Sequence, residues 1–187
     1  MKALASPCAK SRGLALLLTA LIAFTASAGP AESRDERAVR AAYVYNLIKY
    51  VEWPAPHKDL TLVFAGDDAT GDVISHLLDG KSLNGQTIRA VRFSAAGDLR
   101  QCTVLYVADS REAELHRYLD AVRGKTILTV GETEAFTRAG GMVGLVNTGD
   151  HIRIDVNLEV AQAAGIRISS RVLDLATIVR PSGKGGN

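Results

Sequence analysis

The sequence predicts a single-domain α/β fold, a mixed β-sheet with helices packed on both faces. Three observations predict it. Short apolar runs at residues 60–65, 103–107 and 126–130 have the length and composition of strands buried on both sides. Helical patterns alternate with these runs, as crossovers between parallel strands require. Towards the C-terminal end, extended runs at 142–146 and 151–156 flank Asn147-Thr148-Gly149-Asp150, which reads as a hairpin. Parallel connections together with a hairpin make the sheet mixed.

The first 28 residues read as an export signal. Lys2, Lys10 and Arg12 form a positive start, residues 14–24 are an apolar run, and Ala26-Ser27-Ala28 offers a small-x-small cleavage site before Gly29. The competing reading, a membrane anchor, needs about 20 consecutive apolar residues. Cleavage leaves 159 residues, with 29–180 as the folded domain and 181–187 as a Gly-rich tail. A domain of about 150 residues buries roughly 70% of its unfolded surface without a disulfide or metal. The signal holds three basic residues and no acid, so the mature chain has 19 basic residues against 20 acidic ones. A net charge of −1 gives no electrostatic case for nucleic acid.

Each element follows from local pattern. Ser33-Arg34-Asp35-Glu36 has the order of a capping box. Val39, Ala42, Tyr43, Leu47, Tyr50 and Val51 then recur at helical steps as one apolar stripe, with Asn46 inside it. Pro54 is expected to stop this helix. Leu60–Ala65 is a strand closed by Gly66, and Asp68–Leu78 a helix closed by Gly80. Residues 87–93 alternate with period two, as a strand with one wetter face does. A strand at 103–107, a helix at 112–122, a strand at 126–130 and a helical turn at 134–139 follow. After the hairpin, Asn157 is placed to cap a helix at 158–164. A short extended piece at 166–168 precedes Ser169-Ser170, which can cap a final helix at 172–179.

Familiar catalytic signatures are missing. Gly124-Lys125-Thr126 resembles the end of a phosphate loop, but Leu119 stands where the earlier glycine is needed. The glycines at 140, 141 and 144 sit between a helix and a strand, whereas a dinucleotide loop leads from strand into helix. Neither Gly-x-Ser-x-Gly nor His-Glu-x-x-His occurs. His57, His76, His116 and His151 are scattered and read as surface residues. Asp67 to Asp72 suggests calcium, but Leu78 occupies the bidentate position, so these acids read as a helix start. No enzyme activity, metal or cofactor is implied.

Four segments, taken in order, resemble the YfiR-like (HmsC-like) family of periplasmic regulators. They are Ala-Ala-Tyr-x-Tyr-Asn-x-x-Lys-Tyr-Val-Glu-Trp-Pro at 41–54, and the Cys-leading strand at 101–107. The third is Thr-Ile-Leu-Thr-Val-Gly-Glu at 126–132, followed by Phe136 and Gly140-Gly141. The fourth is Ile154-Asp155-Val156-Asn157 with Ala161, Ala164-Gly165, Ile168-Ser169-Ser170, Leu173 and Leu175-Ala176. The resemblance implies a periplasmic binding protein that restrains an inner-membrane diguanylate cyclase through its periplasmic sensor domain, lowering cyclic-di-GMP. It also implies an outer-membrane lipoprotein that can sequester the regulator, and leaves a homodimer open. Family members with disulfides pair a first-strand cysteine with the one matching Cys102, often with a second pair near the later hairpin. Here Leu62, Val63 and Phe64 fill the first strand and no cysteine lies between 142 and 157, so an internal redox switch is not expected.

Within the first motif, Tyr45 and Lys49 lie four apart and off the stripe, which marks them for partner contact. Trp53 is either an interface anchor or a plug at the sheet end. Tyr43 and Asn46 are motif residues, Tyr43 being read as core. Asn157, Ser169 and Ser170 are read as caps, with a ligand pocket beside the hairpin as the alternative. Arg153, Asp155, Arg167 and Arg171 are expected on a solvated face. Cys102 is read either as a small buried hydrophobe or as a thiol that pairs with another molecule. The function class opposed to a protein-binding repressor is a periplasmic small-molecule receptor. A receptor should show a deep pocket with converging polar groups, and a repressor an exposed apolar or aromatic patch.

Overall fold

The computed structural model describes residues 34–54, 59–66 and 68–180. The signal, Ser33, His57, Asp67 and the Gly-rich tail lie outside the described residues. The chain opens with α1 (Arg34–Lys49) and the short β1 (Val51–Glu52). Next come β2 (Leu60–Ala65), α2 (Asp68–Leu78), β3 (Ser82–Leu83) and β4 (Gln86–Arg92). A 3-10 turn at Ala96–Arg100 leads to β5 (Val104–Val107). A second one at Asp109–Glu114 runs into α3 (Leu115–Val122) and β6 (Leu128–Gly131). The chain ends through α4 (Glu134–Arg138), β7 (Val143–Asn147), β8 (Ile152–Val156), α5 (Leu158–Ala163), β9 (Arg167–Ile168), α6 (Ser170–Leu173) and β10 (Ala176–Ile178).

The main sheet has the order β10-β8-β7-β6-β5-β2-β4-β3. It is parallel except where β7 meets β8 and β3 meets β4. The mixed α/β expectation therefore holds, hairpin included. Alternation along the central strands divides the interior. Leu62, Phe64, Val104 and Tyr106 face one core, with Val44 and Ile48 of α1, Ile74 of α2 and Val172 of α6. Val63, Ala65, Leu105 and Val107 face the other, with Leu115, Tyr118 and Leu119 of α3 and Phe136 of α4. Strands buried on both faces need no polar side, which is why these runs are uninterruptedly apolar.

Three local expectations are corrected. α1 stops at Lys49, four residues before the last residue ahead of Pro54, because the amide of Tyr50 turns back to the Leu47 carbonyl at 3.0 Å. Val51 and Glu52 then pair with Ile168 and Arg167, a tertiary demand that overrides the helical pattern. At the C-terminal end only Ser170–Leu173 is helical. Residues 176–178 instead pair with Ile154, Asp155 and Val156, giving β8 a neighbour and suiting the β-branched Thr177 and Ile178. The third correction concerns the phase of α1. Its buried face is Arg40, Ala41, Val44, Leu47 and Ile48, whereas Val39 is 46% exposed, and Ala42 and Asn46 face solvent. The apolar stripe read from the sequence is thus only partly core: Leu47 and Val51 are buried, Tyr43 and Tyr50 half-buried, and Val39 and Ala42 exposed.

Candidate functional site

In an open sheet a ligand crevice is expected at the carboxyl ends of the strands where the order reverses. Here that point lies between β2 and β5, since the chain passes from β2 to β4 on one side and then to β5 on the other. The neighbouring space is filled from α1. Arg40, 6% exposed, donates to the Leu145 carbonyl of β7 and lies 3.8 Å from the Glu132 carboxylate. Glu132, at the end of β6, also accepts from the Tyr106 hydroxyl and, at 2.6 Å, from the Asp109 amide. One buried carboxylate therefore joins α1, β5, β6 and the turn after β5. A Cβ on Gly66 would stand 3.0 Å from the Ala108 Cβ, so β2 and β5 close tightly there.

Several residues of the resembling segments have packing roles. Asn157 is fully buried. Its side chain accepts from the Val160 amide and donates to the Thr137 carbonyl, both at 3.2 Å, so it caps α5 and ties it to α4. Ser169 caps α6 by accepting from the Arg171 amide, and Ser170 is the first residue of that helix. Phe136 lies between Gly131 and Gly141, either of which would drive a Cβ into its ring. Cys102 is buried and its thiol donates to the Val104 carbonyl at 3.2 Å. Burial pushes that thiol up to about 12, far from the thiolate needed for reaction. Native protein at pH 8 is therefore expected to leave Ellman's reagent untouched, and guanidinium-unfolded protein to react at once. Rapid labelling of the native state would contradict this account.

Arg153 and Asp155 do not lie on a solvated face. Asp155 is 3% exposed and accepts from Arg153 Nε at 2.7 Å and Nη2 at 3.0 Å. The same Nη2 reaches Glu134 at 2.7 Å, and Arg138 reaches it at 2.5 Å, which pins α4 to β8. The hydrogen bond from Arg153, then the charge of Arg138, hold the Glu134 carboxyl below its usual range. Asp98 is lowered too, by the Ala95 amide first and then by Ser94. A lowered folded pKa gives stabilisation that is complete above the unfolded value of about 4 and lost as pH falls through the folded one. Urea unfolding should show stability falling from pH 5 to pH 2.5, with a shallower slope in Glu134→Gln. An equal slope in the variant would remove Glu134 from that account.

The remaining motif residues surround a groove of about 360 Å³ between α1, β7, β8 and α6. Tyr43, Asn46 and Tyr50 form one wall. Leu47, Leu145, Ile154 and Val172 form the floor, with Arg171 and Leu175 as the opposite lip. Leu175 is 78% exposed. Tyr50 carries Lys49 Nζ at 5.6 Å and the Arg171 guanidinium at 5.9 Å from its ring centre. Of the three residues marked for partner contact, only Lys49 reaches this rim. Tyr45 is half-buried beside Lys81, 5.5 Å from its ring, and Trp53 is half-buried against the core. Tyr43 is also half-buried rather than core, and Asn46 is exposed. Sequence reasoning missed Tyr50, Arg171 and Leu175 as groove residues. The available signal for Tyr50 is the apolar stripe of α1, whose period alone does not tell a core residue from a groove residue.

A family model described as YfiR/HmsC-like matches residues 37–177. A search of the curated proteins gives no significant match. Among solved structures, a conserved domain protein from Vibrio cholerae O1 biovar eltor aligns with a TM-score of 0.52 at 11% identity. That alignment covers 76% of this chain and 59% of the other. The ABC domain in complex with L-Trp from Streptococcus pneumonia aligns with a TM-score of 0.53 at 12% identity, covering 76% and 61%. The chain thus spans about three fifths of either structure, and at such identities the likeness concerns the fold alone.

Proposed function

Since the chain belongs to the YfiR/HmsC-like family, we propose that it represses an inner-membrane diguanylate cyclase by binding the periplasmic sensor domain of that enzyme. Family membership supports the coarser reading, a periplasmic regulator of cyclic-di-GMP signalling. The observation that carries the finer one is the outer face of α1. A helix on the surface of a globular domain ordinarily turns polar residues outward. This one keeps Val39, Ala42 and Tyr43 outside its core face and borders a groove with an exposed leucine. Such a face suits a protein partner.

The receptor reading asks for a deep crevice with converging polar groups, and the space near the switch point holds the Arg40–Glu132 pair instead. In the proposed mechanism residues 1–28 are removed on export. The regulator favours the inactive cyclase conformation in proportion to its differential affinity for the two states. An outer-membrane lipoprotein that captured the regulator would lift the bias by mass action. A homodimer is compatible with this scheme. The test is cellular cyclic-di-GMP in a strain lacking the protein, with and without the wild-type chain restored. A rise on deletion, reversed by restoration, supports repression. An unchanged level with the cyclase expressed overturns it and directs attention to thermal-shift screening with metabolites.

A further inference from the structure

We propose that the groove beside α1 takes an acidic amphipathic segment of the partner protein, with an apolar side chain on the floor and carboxylates held by Lys49 and Arg171. This rests on the partner-binding reading above and names the chemistry of the surface that would be bound. Apart from Asn46 the floor and walls are apolar or aromatic, and Arg171 is the only charged residue among those lining the groove. Neither Arg171 nor Lys49 forms an ion pair with a described residue. Both side chains lie over the ring of Tyr50. The nearby acids do not answer them: Glu52 is paired with Arg167 at 3.8 Å, and Asp174 lies outside the lining.

Stacking on an aromatic ring leaves the N–H donors of a guanidinium and an ammonium free to meet an anion. A carboxylate there gains charge-assisted hydrogen bonds at the edge of an apolar site that excludes water. The stretch of α1 beside the groove, from Tyr43 to Lys49, runs about 9 Å along the helix axis at 1.5 Å per residue. That is nearly two helical turns, enough to meet apolar side chains spaced one turn apart on an amphipathic segment. A lipid surface would also supply apolar and anionic groups. The site is concave between helix and sheet, however, and its floor side chains lie below the rim, which favours an inserted side chain over a bilayer.

The test expresses the full chain in a strain lacking its own copy and reads cellular cyclic-di-GMP. It also measures binding of the purified mature protein to the periplasmic domain of the cyclase that responds to deletion. Lys49→Glu/Arg171→Glu is expected to weaken binding at least tenfold and to abolish repression, with its melting temperature kept. Leu175→Asp should act in the same direction. Lys49→Arg should retain repression, as should Lys125→Glu, which is exposed beyond α3 and outside the groove. Wild-type affinity should fall as salt rises from 0.1 to 0.5 M. Wild-type repression that survives the double reversal overturns the groove assignment while leaving the regulatory function standing. Binding to phosphatidylglycerol vesicles that is lost in the double variant, without binding to the cyclase domain, replaces the protein partner with a membrane. No repression by the wild-type chain removes both readings together.

Discussion

Glu132→Ala is expected to destabilise the domain by about 3–5 kcal/mol, the cost of breaking a buried ion pair by deleting one partner. For a domain of this size that is a fall in melting temperature on the order of 10 °C. Arg40 would keep its bond to the Leu145 carbonyl but lose the Glu132 charge beside it, at 6% exposure. The Tyr106 hydroxyl and the Asp109 amide would lose the acceptor they share on one carboxylate. Glu132→Gln separates these contributions, since an amide oxygen can still accept while the charge is gone. It should cost less than the alanine. A double-mutant cycle with Arg40→Met should show a coupling above about 1 kcal/mol, as contacting charges do. Additive losses would mean that the two side chains do not stabilise one another. The same variants bear on function only through stability, because the pair lies beneath α1 and not in the groove.

Gly141→Ala is expected to cost about 3 kcal/mol, at the upper end of what overpacking a core does. Neither Gly141 nor Gly131 has a positive φ, so the backbone there suits any residue and the demand is for space alone. The added methyl would stand well inside van der Waals contact with the Phe136 ring, which is 1% exposed and packs into the second core. Gly131 crowds the same ring at its Cγ and Cδ atoms, which restricts how far Phe136 can retreat. Unfolding in urea measures the loss. Combining Gly141→Ala with Phe136→Leu should recover part of it, since the smaller, jointed side chain can yield to the methyl. If the double variant is as unstable as the sum of the single ones, the crowding argument fails. The glycines at these positions, prominent in the family segment, then need another explanation.

Much of the architecture was legible because it depends on short-range chemistry. The apolar strand at 60–65 and the helix at 68–78 have the observed limits, and the turn at 147–150 joins antiparallel strands as expected. Buried strands, capped helices and tight turns each leave a mark within a few residues. The family segments were legible for the same reason, and the family model spans the same part of the chain. The ends of α1 and α6 were not. Val51 and Ala176 sit in patterns that suit a helix, and only the strands they meet, β9 and β8, decide otherwise.

The candidate site was less legible than the fold. Periodicity shows that α1 has an apolar stripe, but it cannot say which of two adjacent stripes the sheet covers. Val39 and Tyr43 fit the helical period as well as Ala41 and Val44 do, and burial separates them only after the sheet is in place. Arg40 looks in sequence like any surface arginine. Its partner Glu132 is 92 residues away, beyond the reach of local pattern. Arg171 and Tyr50 likewise meet only because β1 pairs with β9 and brings the start of α6 to the end of α1. The sequence by itself therefore determined the fold class, the order of most elements and the family, all of which follow from neighbours along the chain. Which face of α1 stays outside the core, and which cations rim the groove beside it, was decided by tertiary structure. Burial and charge pairing there depend on residues that folding alone brings together.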